Sequence, residues 1–228
     1  MNLPSLSVRQ FSSDQFCLDK TFYHNFYHLK GTQDKIKAPV VIDCGAHVGY
    51  FSFTALAAGA KKVYAIEPFI ENYKMLLKNV GDNSLVIPYQ LAIFNNAQRI
   101  VFSYPKPDKT HIDFSKVEPK TATSSSKYFV SQSITLDDFL SGYVEEKNVD
   151  ILKISIGYME PEILLQSQLL SEKVSNVCGE TILDEDGVAK FKVQMEAKGF
   201  IKNHLSRDEE GNTLFIFSKT NLGDYFNI

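Results

Sequence analysis

Two acidic residues, Asp43 and Glu67, each end a short apolar run, and they carry most of the chemistry legible in this chain. Asp43 closes Pro39-Val40-Val41-Ile42 and opens into Cys44-Gly45-Ala46-His47-Val48-Gly49-Tyr50, while Glu67 closes Lys62-Val63-Tyr64-Ala65-Ile66 and precedes Pro68. A strand that runs from an acid into a glycine-bearing turn lets backbone approach a ligand closely. The free N–H groups of a helix that follows favour an anionic group such as a carboxylate. The glycine spacing is GxxxG rather than the GxGxxG of pyrophosphate-binding dehydrogenases. Asp43 would repel a diphosphate and attract an ammonium, and a carboxylate at Glu67 can accept hydrogen bonds from both ribose hydroxyls of an adenosine. Carboxylate, ammonium and adenosine together describe S-adenosylmethionine, and the pattern favours that cofactor over NAD. Its expected contacts are Asp43, Gly45, Ala46, His47, Gly49, Tyr50, Glu67, Pro68 and Ser155, with Leu91 and Ala92 flanking the adenine.

Such residues need a frame that brings successive strand ends together. Apolar runs at 39–43, 62–67 and 85–93, separated by helical patterns at 51–60 and 70–80, spell a βαβαβ half of a nucleotide-binding fold. An extra strand at 99–104 precedes a Pro-, Lys- and Ser-rich stretch, 105–126, that reads as a long irregular connection. The pattern resumes with a helix at 137–143, a strand at 149–155, a helix at 160–170, a strand at 175–181, a helix at 189–198 closed by Gly199, and a strand at 213–218. The expectation is an α/β, doubly wound Rossmann-like sheet of the methyltransferase type, mostly parallel, with an antiparallel C-terminal strand. Residues 38–228 form that domain. Residues 1–37, with Phe22, Tyr23, Phe26 and Tyr27 near helical spacing before Gly31, read as an N-terminal helical extension.

Four blocks go further: Val41 to Tyr50, Val63 to Pro68, Ile134-Thr135-Leu136-Asp137-Asp138-Phe139, and Val149-Asp150-Ile151-Leu152-Lys153-Ile154. Together, from about Pro39 to the C-terminus, they resemble the FkbM family of methyltransferases. The resemblance implies S-adenosylmethionine-dependent O-methylation, often of sugars, glycans or secondary metabolites. The family's usual Lys-Ile-Asp-Val-Glu-Gly-x-Glu is here Lys153-Ile154-Ser155-Ile156-Gly157-Tyr158-Met159-Glu160, so two acids at the end of the fourth strand are replaced by Ser155 and Gly157. Methyl transfer to a hydroxyl asks the protein to position the acceptor and remove its proton. Glu180, which matches an acid of the family pattern, is the first candidate for acceptor binding or general base. Glu160 is the second, and Lys153 could pair with either acid.

Composition bounds the alternatives. A chain of 228 residues, 44% hydrophobic and 22% charged, is an ordinary globular domain with small additions. A net charge of −3 offers no broad field for nucleic acid or anionic lipid. No stretch approaches the roughly 20 apolar residues of a membrane helix, and the first 13 residues lack the pattern of a secretion signal. Cys17, Cys44 and Cys178 form no CxxC pair and fit a reducing compartment, so a cytoplasmic protein is expected, with a small-molecule or glycan acceptor and neither nucleic acid nor membrane as partner.

Several residues draw bland readings. His24 and His28, four apart on the expected helix, could present two metal ligands, but no HExxH or third ligand accompanies them and no metal is expected. Ser155 also replaces the acid a Mg²⁺-dependent mechanism would use. His47 packs beside the cofactor, His111 sits on a solvated loop, Ser124 to Ser126 mark another, and Cys44 packs. The rivals are a cofactor-binding but impaired relative, a nucleic-acid methyltransferase and a nicotinamide oxidoreductase. The second would favour Asn/Asp-Pro-Pro-aromatic or Pro-Cys, and neither string occurs; GxxxG disfavours the third.

Overall fold

The computed structural model describes residues 6–10, 12–29, 38–105, 118–119, 126–157, 159–208 and 211–228. Its strands are β1 (Val40–Cys44), β2 (Lys62–Ile66), β3 (Val86–Tyr89), β4 (Ala92–Ile93), β5 (Arg99–Pro105), β6 (Glu118–Pro119), β7 (Ser126–Ile134), β8 (Val149–Ile154), β9 (Val174–Thr181), β10 (Lys202–Arg207) and β11 (Thr213–Ser218). Seven of them form the main sheet in the order β10-β11-β9-β8-β1-β2-β3. All neighbouring pairs from β3 to β9 are parallel, and β11 runs antiparallel to both β9 and β10. The doubly wound, mostly parallel sheet with a reversed C-terminal strand is therefore present. The central strand β1 is buried along its whole length because helices cover both faces, which is why it reads as an unbroken apolar run.

The helices are α1 (Asp14–Leu18), which continues into a π-helical turn over Asp19–Tyr23, α2 (Tyr50–Ala57), α3 (Ile70–Val80), α4 (Leu136–Gly142), α5 (Glu160–Gln166), α6 (Leu170–Lys173) and α7 (Glu185–Ala197). The Thr-Leu-Asp-Asp-Phe block now has a structural cause. Thr135 and Asp138 form a reciprocal capping box that starts α4. Asp137 accepts bonds from Ser167 Oγ and from the backbone N–H groups of Gln168 and Leu169, tying α4 to the α5–α6 junction.

The structure corrects the sequence reading in six places. The run 85–93 splits: β3 stays in the main sheet, while β4 joins a second sheet, β4-β7-β5-β6. Strand β7 was unread because two of its buried positions are Ser131 and Ser133, the latter satisfied by the carbonyls of Asn96 and Gln98. Strand β10 was missed because it is a half-exposed edge with Leu205 as its one aliphatic residue. The helix expected over 160–170 breaks at Ser167, whose backbone is extended, and α7 starts four residues early because Asp184 caps it through Gly187 N–H. In the extension, helical structure stops at Tyr23; Asn25 and His28 have φ of 50° and 55°, so His24 and His28 do not share a helix. Gly31 lies outside the described residues.

Candidate functional site

The C-terminal ends of β1, β2, β8 and β9 open into one cavity of about 650 Å³. It sits where β1 pairs with β2 on one side and β8 on the other, the switch point at which doubly wound sheets bind ligands. A volume of this size is that of an ordinary small-molecule pocket.

The glycine turn shapes its floor. Gly45 and Ala46 donate N–H bonds to the Ile66 carbonyl at 3.0 and 2.8 Å, which binds the turn to the end of β2. Gly45 has φ of 77°, and a Cβ there would lie 1.9 Å from the Ser155 carbonyl oxygen, so only glycine allows β1 and β8 to close up. Gly49 has φ of 95° and begins α2; it packs toward Leu76 and does not line the cavity. Ala46, His47 and Tyr50 do line it.

Glu67 lies at the cavity wall with both oxygens oriented. Oε2 accepts the His47 N–H at 2.9 Å, and Oε1 accepts the Phe69 N–H at 2.9 Å and the Asn72 amide at 3.3 Å. Burial lifts this carboxyl to about 7, against the pull of the Phe69 and His47 N–H groups, Asn72 and Lys153. A carboxylate accepts about four hydrogen bonds, so with three in place this set leaves one acceptor site for a hydroxyl. Leu91 and Ala92, nearly buried, supply an apolar wall beside it. This donor and acceptor set fits the adenosine of S-adenosylmethionine.

Asp43 departs from its expected place. Its carboxylate is fully buried, accepts Ser52 Oγ at 2.7 Å and Lys153 Nζ at 3.0 Å, and does not line the cavity. Lys153 reaches the wall in its stead, and its ammonium also donates to the Gly45 carbonyl at 2.7 Å. Asp43, expected to meet a ligand ammonium, is paired with Lys153 in a buried ion pair that braces the turn.

The remaining candidates meet on the opposite wall. Glu160, the first residue of α5, accepts the Ile156 N–H at 2.6 Å and closes the β8–α5 turn. Ser155 lines the cavity, and its side chain is hydrogen-bonded with the Tyr27 hydroxyl. Burial, then the charges of Glu180, Cys178 and Asp43, push that phenol well above its ordinary value, so it stays neutral. Gly157 has φ of 82°, so an acid at this position would need a left-handed backbone. Glu180 accepts both of its hydrogen bonds from Lys20 Nζ, at 2.5 and 2.6 Å, and that ammonium sits 4.1 Å from the centre of the Phe26 ring.

Lys20 and Tyr27 were missed by sequence reasoning, although both line the cavity. The helical spacing of the aromatic residues marked a packed segment there without saying what it packs on. His28 faces His204 with ring centres 5.5 Å apart, and among the described residues no three potential metal ligands gather. Burial pushes the Cys44 thiol up, out of reactive range. His111, Ser124 and Ser125 lie outside the described residues.

A seven-stranded sheet with one reversed strand, a glycine turn after β1, an acid after β2 and a cavity at the switch point define a Rossmann-like methyltransferase fold. The sequence profile of the Methyltransferase FkbM domain matches residues 43–214, and the chain belongs to that family. A crystal structure of the methyltransferase FkbM from Methylobacillus flagellatus KT is similar with a TM-score of 0.54 and 15% identity, over 90% of this chain and 52% of that one. The chain thus spans about half the length of that protein. The methyltransferase domain of METTL16 gives a TM-score of 0.53 at 14% identity, over 87% of this chain and 68% of that chain. At these identities the likeness is one of fold. A search of curated proteins finds no match.

Proposed function

We propose that this chain is an S-adenosylmethionine-dependent O-methyltransferase that acts on a hydroxyl of a sugar, glycan or other small polar metabolite. One observation carries the proposal: Glu67 with the glycine turn, and Glu180 on the far wall, share a single cavity. When bound, S-adenosylmethionine supplies a methyl group already activated by its sulfonium. The protein has then to hold both partners and take the hydroxyl proton.

In this reading Glu67 holds a ribose hydroxyl at its remaining acceptor site, Leu91 and Ala92 flank the adenine, and the turn through Ala46, His47 and Tyr50 lies along the amino-acid part, with Pro68 and Ser155 at the rim. Asp43 acts one layer back, fixing Lys153. Glu180 is the general base, and it must release one of its bonds from Lys20 before accepting a proton. Lys153 and Glu160 keep the walls in place rather than exchange protons. Lys20, Thr21, Thr181 and Asn212 add donors and acceptors of both kinds at the same cavity, which suits a neutral polyhydroxylated acceptor. From the extension 1–37, described residues between Phe16 and Tyr27 form one wall of the cavity in the domain 38–228.

We place the protein in the cytoplasm, with no metal, nucleic acid or membrane as partner. Among the described residues no helix is long and apolar enough to cross a membrane, and the three cysteines are free.

A second reading, a cofactor-binding protein with impaired transfer, draws support from the Lys20–Glu180 pair and from Ser155 and Gly157 in place of acids. The test is calorimetry with S-adenosylmethionine and S-adenosylhomocysteine, followed by incubation of extract with methyl-labelled cofactor and mass spectrometry of the products. An O-methylated product supports the first reading. Binding without product across the extract and a panel of polyols supports the second. Absence of cofactor binding overturns both.

A further inference from the structure

The N-terminal segment reaches the cofactor wall as well as the acceptor wall, through a chain of buried polar contacts. Asp14, whose side chain is fully buried, takes a forked pair from Arg9: Nε at 2.8 Å and Nη2 at 2.6 Å. Such bidentate pairs fix a guanidinium in place. Arg9 Nη2 then reaches Asn72 Oδ1 at 3.0 Å and His47 Nε2 at 3.3 Å. Asn72 sits on α3 and is almost fully buried, and its other amide atom, Nδ2, faces Glu67 Oε1 at 3.3 Å. His47 gives its backbone N–H to Glu67 Oε2 at 2.9 Å.

An amide has one donor end and one acceptor end. With its oxygen held by Arg9, Asn72 must present its NH₂ to Glu67. Released from Arg9, the amide is free to turn its oxygen toward the carboxylate, which replaces a donor by a repulsive lone pair. We infer that Arg9, from a segment outside the matched family domain, is a positioning residue for the carboxylate of Glu67, with Asp14 as its anchor. The inference rests on the proposal that Glu67 holds the cofactor's ribose only for its consequence on affinity, not for the contact itself.

Glu67 is sensitive to such a change because burial has already brought its carboxyl to about 7. The charged and titratable groups around it are Lys153 of β8, the Cys44 thiol of β1, His47 of the glycine turn, and Arg9 and Asp14 of the extension, with Glu160 of α5 on the same cavity. Asp14 does not compete for protons near neutrality: burial lifts it, but Arg9 and His47 hold it below the ordinary carboxylate range. The ionised Glu67 makes charge-assisted bonds and the protonated form does not. Affinity for a ribose therefore falls as pH drops below about 7.

The experiment titrates Glu67 in the ligand-free protein by carboxyl ¹³C NMR and measures S-adenosylhomocysteine affinity from pH 6 to 9, in the parent, Arg9→Met, Arg9→Lys and the double variant Arg9→Met/Asp14→Asn. The double variant removes both charges, so no buried carboxylate is stranded if the single variant fails to fold. The expected result in the Met variants is an upward shift of the Glu67 midpoint by about one unit, a loss of affinity of roughly fivefold at pH 7, and parental affinity by about pH 9. Arg9→Lys should recover part of the shift, since one ammonium cannot hold Asp14 and Asn72 in the same fork. An unchanged Glu67 midpoint in folded variants overturns the inference. A shifted midpoint with no S-adenosylhomocysteine binding in any form upholds Arg9 as the positioning residue and removes the ribose assignment instead.

Discussion

The β1–β2 side of the cavity and the β8–β9 side are built by different rules. On the first, the turn and the acid come from strand ends and loops that follow one another in the chain, and Glu67 is held by N–H groups within 20 residues of it. On the second, the polar groups that matter are paired across long stretches of sequence: Lys20 bonds Glu180 from 160 residues away. The difference is one of degree: Glu67 is held directly by N–H groups of nearby turns and reached by Arg9 of the extension only through Asn72 and His47, whereas Glu180 takes both of its bonds straight from Lys20 of the extension. The lesson is that an added segment can tune a site whose main contacts are local, and can supply the partners outright where they are not.

The largest effect should come from Gly45→Ala. The new methyl would sit 1.9 Å from the Ser155 carbonyl oxygen, on a residue with φ of 77°. Neither a carbonyl nor a central strand end yields easily, so β1 and β8 must part. Destabilisation above about 4 kcal/mol is expected, in the range reserved for such clashes, read from denaturant unfolding. Near-parental stability would show that the two halves of the sheet are not locked at this point.

Next is Glu180→Gln. A positioned base contributes roughly 10²–10⁴-fold in rate, so turnover on an identified acceptor should fall by that order with cofactor affinity nearly unchanged. Gln keeps an acceptor for Lys20, which separates proton removal from docking of the extension. Equal turnover would take Glu180 out of the mechanism and assign the pair with Lys20 a purely structural role.

Glu67→Ala should do the reverse. It removes a charge-assisted bond to the ribose, worth about 1.5–3 kcal/mol, so affinity for S-adenosylhomocysteine should fall by roughly 10–10²-fold. Calorimetry decides it, and an unchanged dissociation constant would sink the ribose assignment.

How much of this was legible in the sequence follows the same division. The turn Gly45–Gly49 and Glu67 could be read because a strand, a turn and a strand-end acid are local patterns. Even there the setting of Asp43 was not legible: the end of β1 reads as open to a ligand, while Lys153, on the adjacent strand β8, bonds the carboxylate at 3.0 Å. The main sheet, its edge strand β10 excepted, was legible from apolar periodicity. Strand β7 was not, since Ser131 and Ser133 are buried where the pattern expects apolar residues. Nor were Lys20 and Tyr27, whose roles exist only once the extension lies across the cavity.

The smallest effect concerns how the extension is held on the acceptor side. His28 faces His204 of β10, and the backbone carbonyl of His28 accepts the Asn227 N–H at 2.8 Å. Burial, then the charge of His204, lowers the His28 value below its ordinary 6.5. The folded protein therefore takes up this proton less readily than the unfolded chain. Its stability contribution is complete above pH 6.5 and is lost as pH falls through the lower folded value. Both rings are partly solvated, so the cost is screened, and melting between pH 7.5 and 5 should lose about 2 °C or less from this pair. His204→Gln keeps a polar ring neighbour without the second charge and should flatten that part of the pH profile. The same variant should leave S-adenosylhomocysteine affinity at its parental value, because the cofactor wall is anchored through Arg9 and Asn72 rather than through β10. A pH profile identical to the parent would show that His28 and His204 do not sense each other's charge, and that the extension is held there by Tyr27 and Leu29 packing alone.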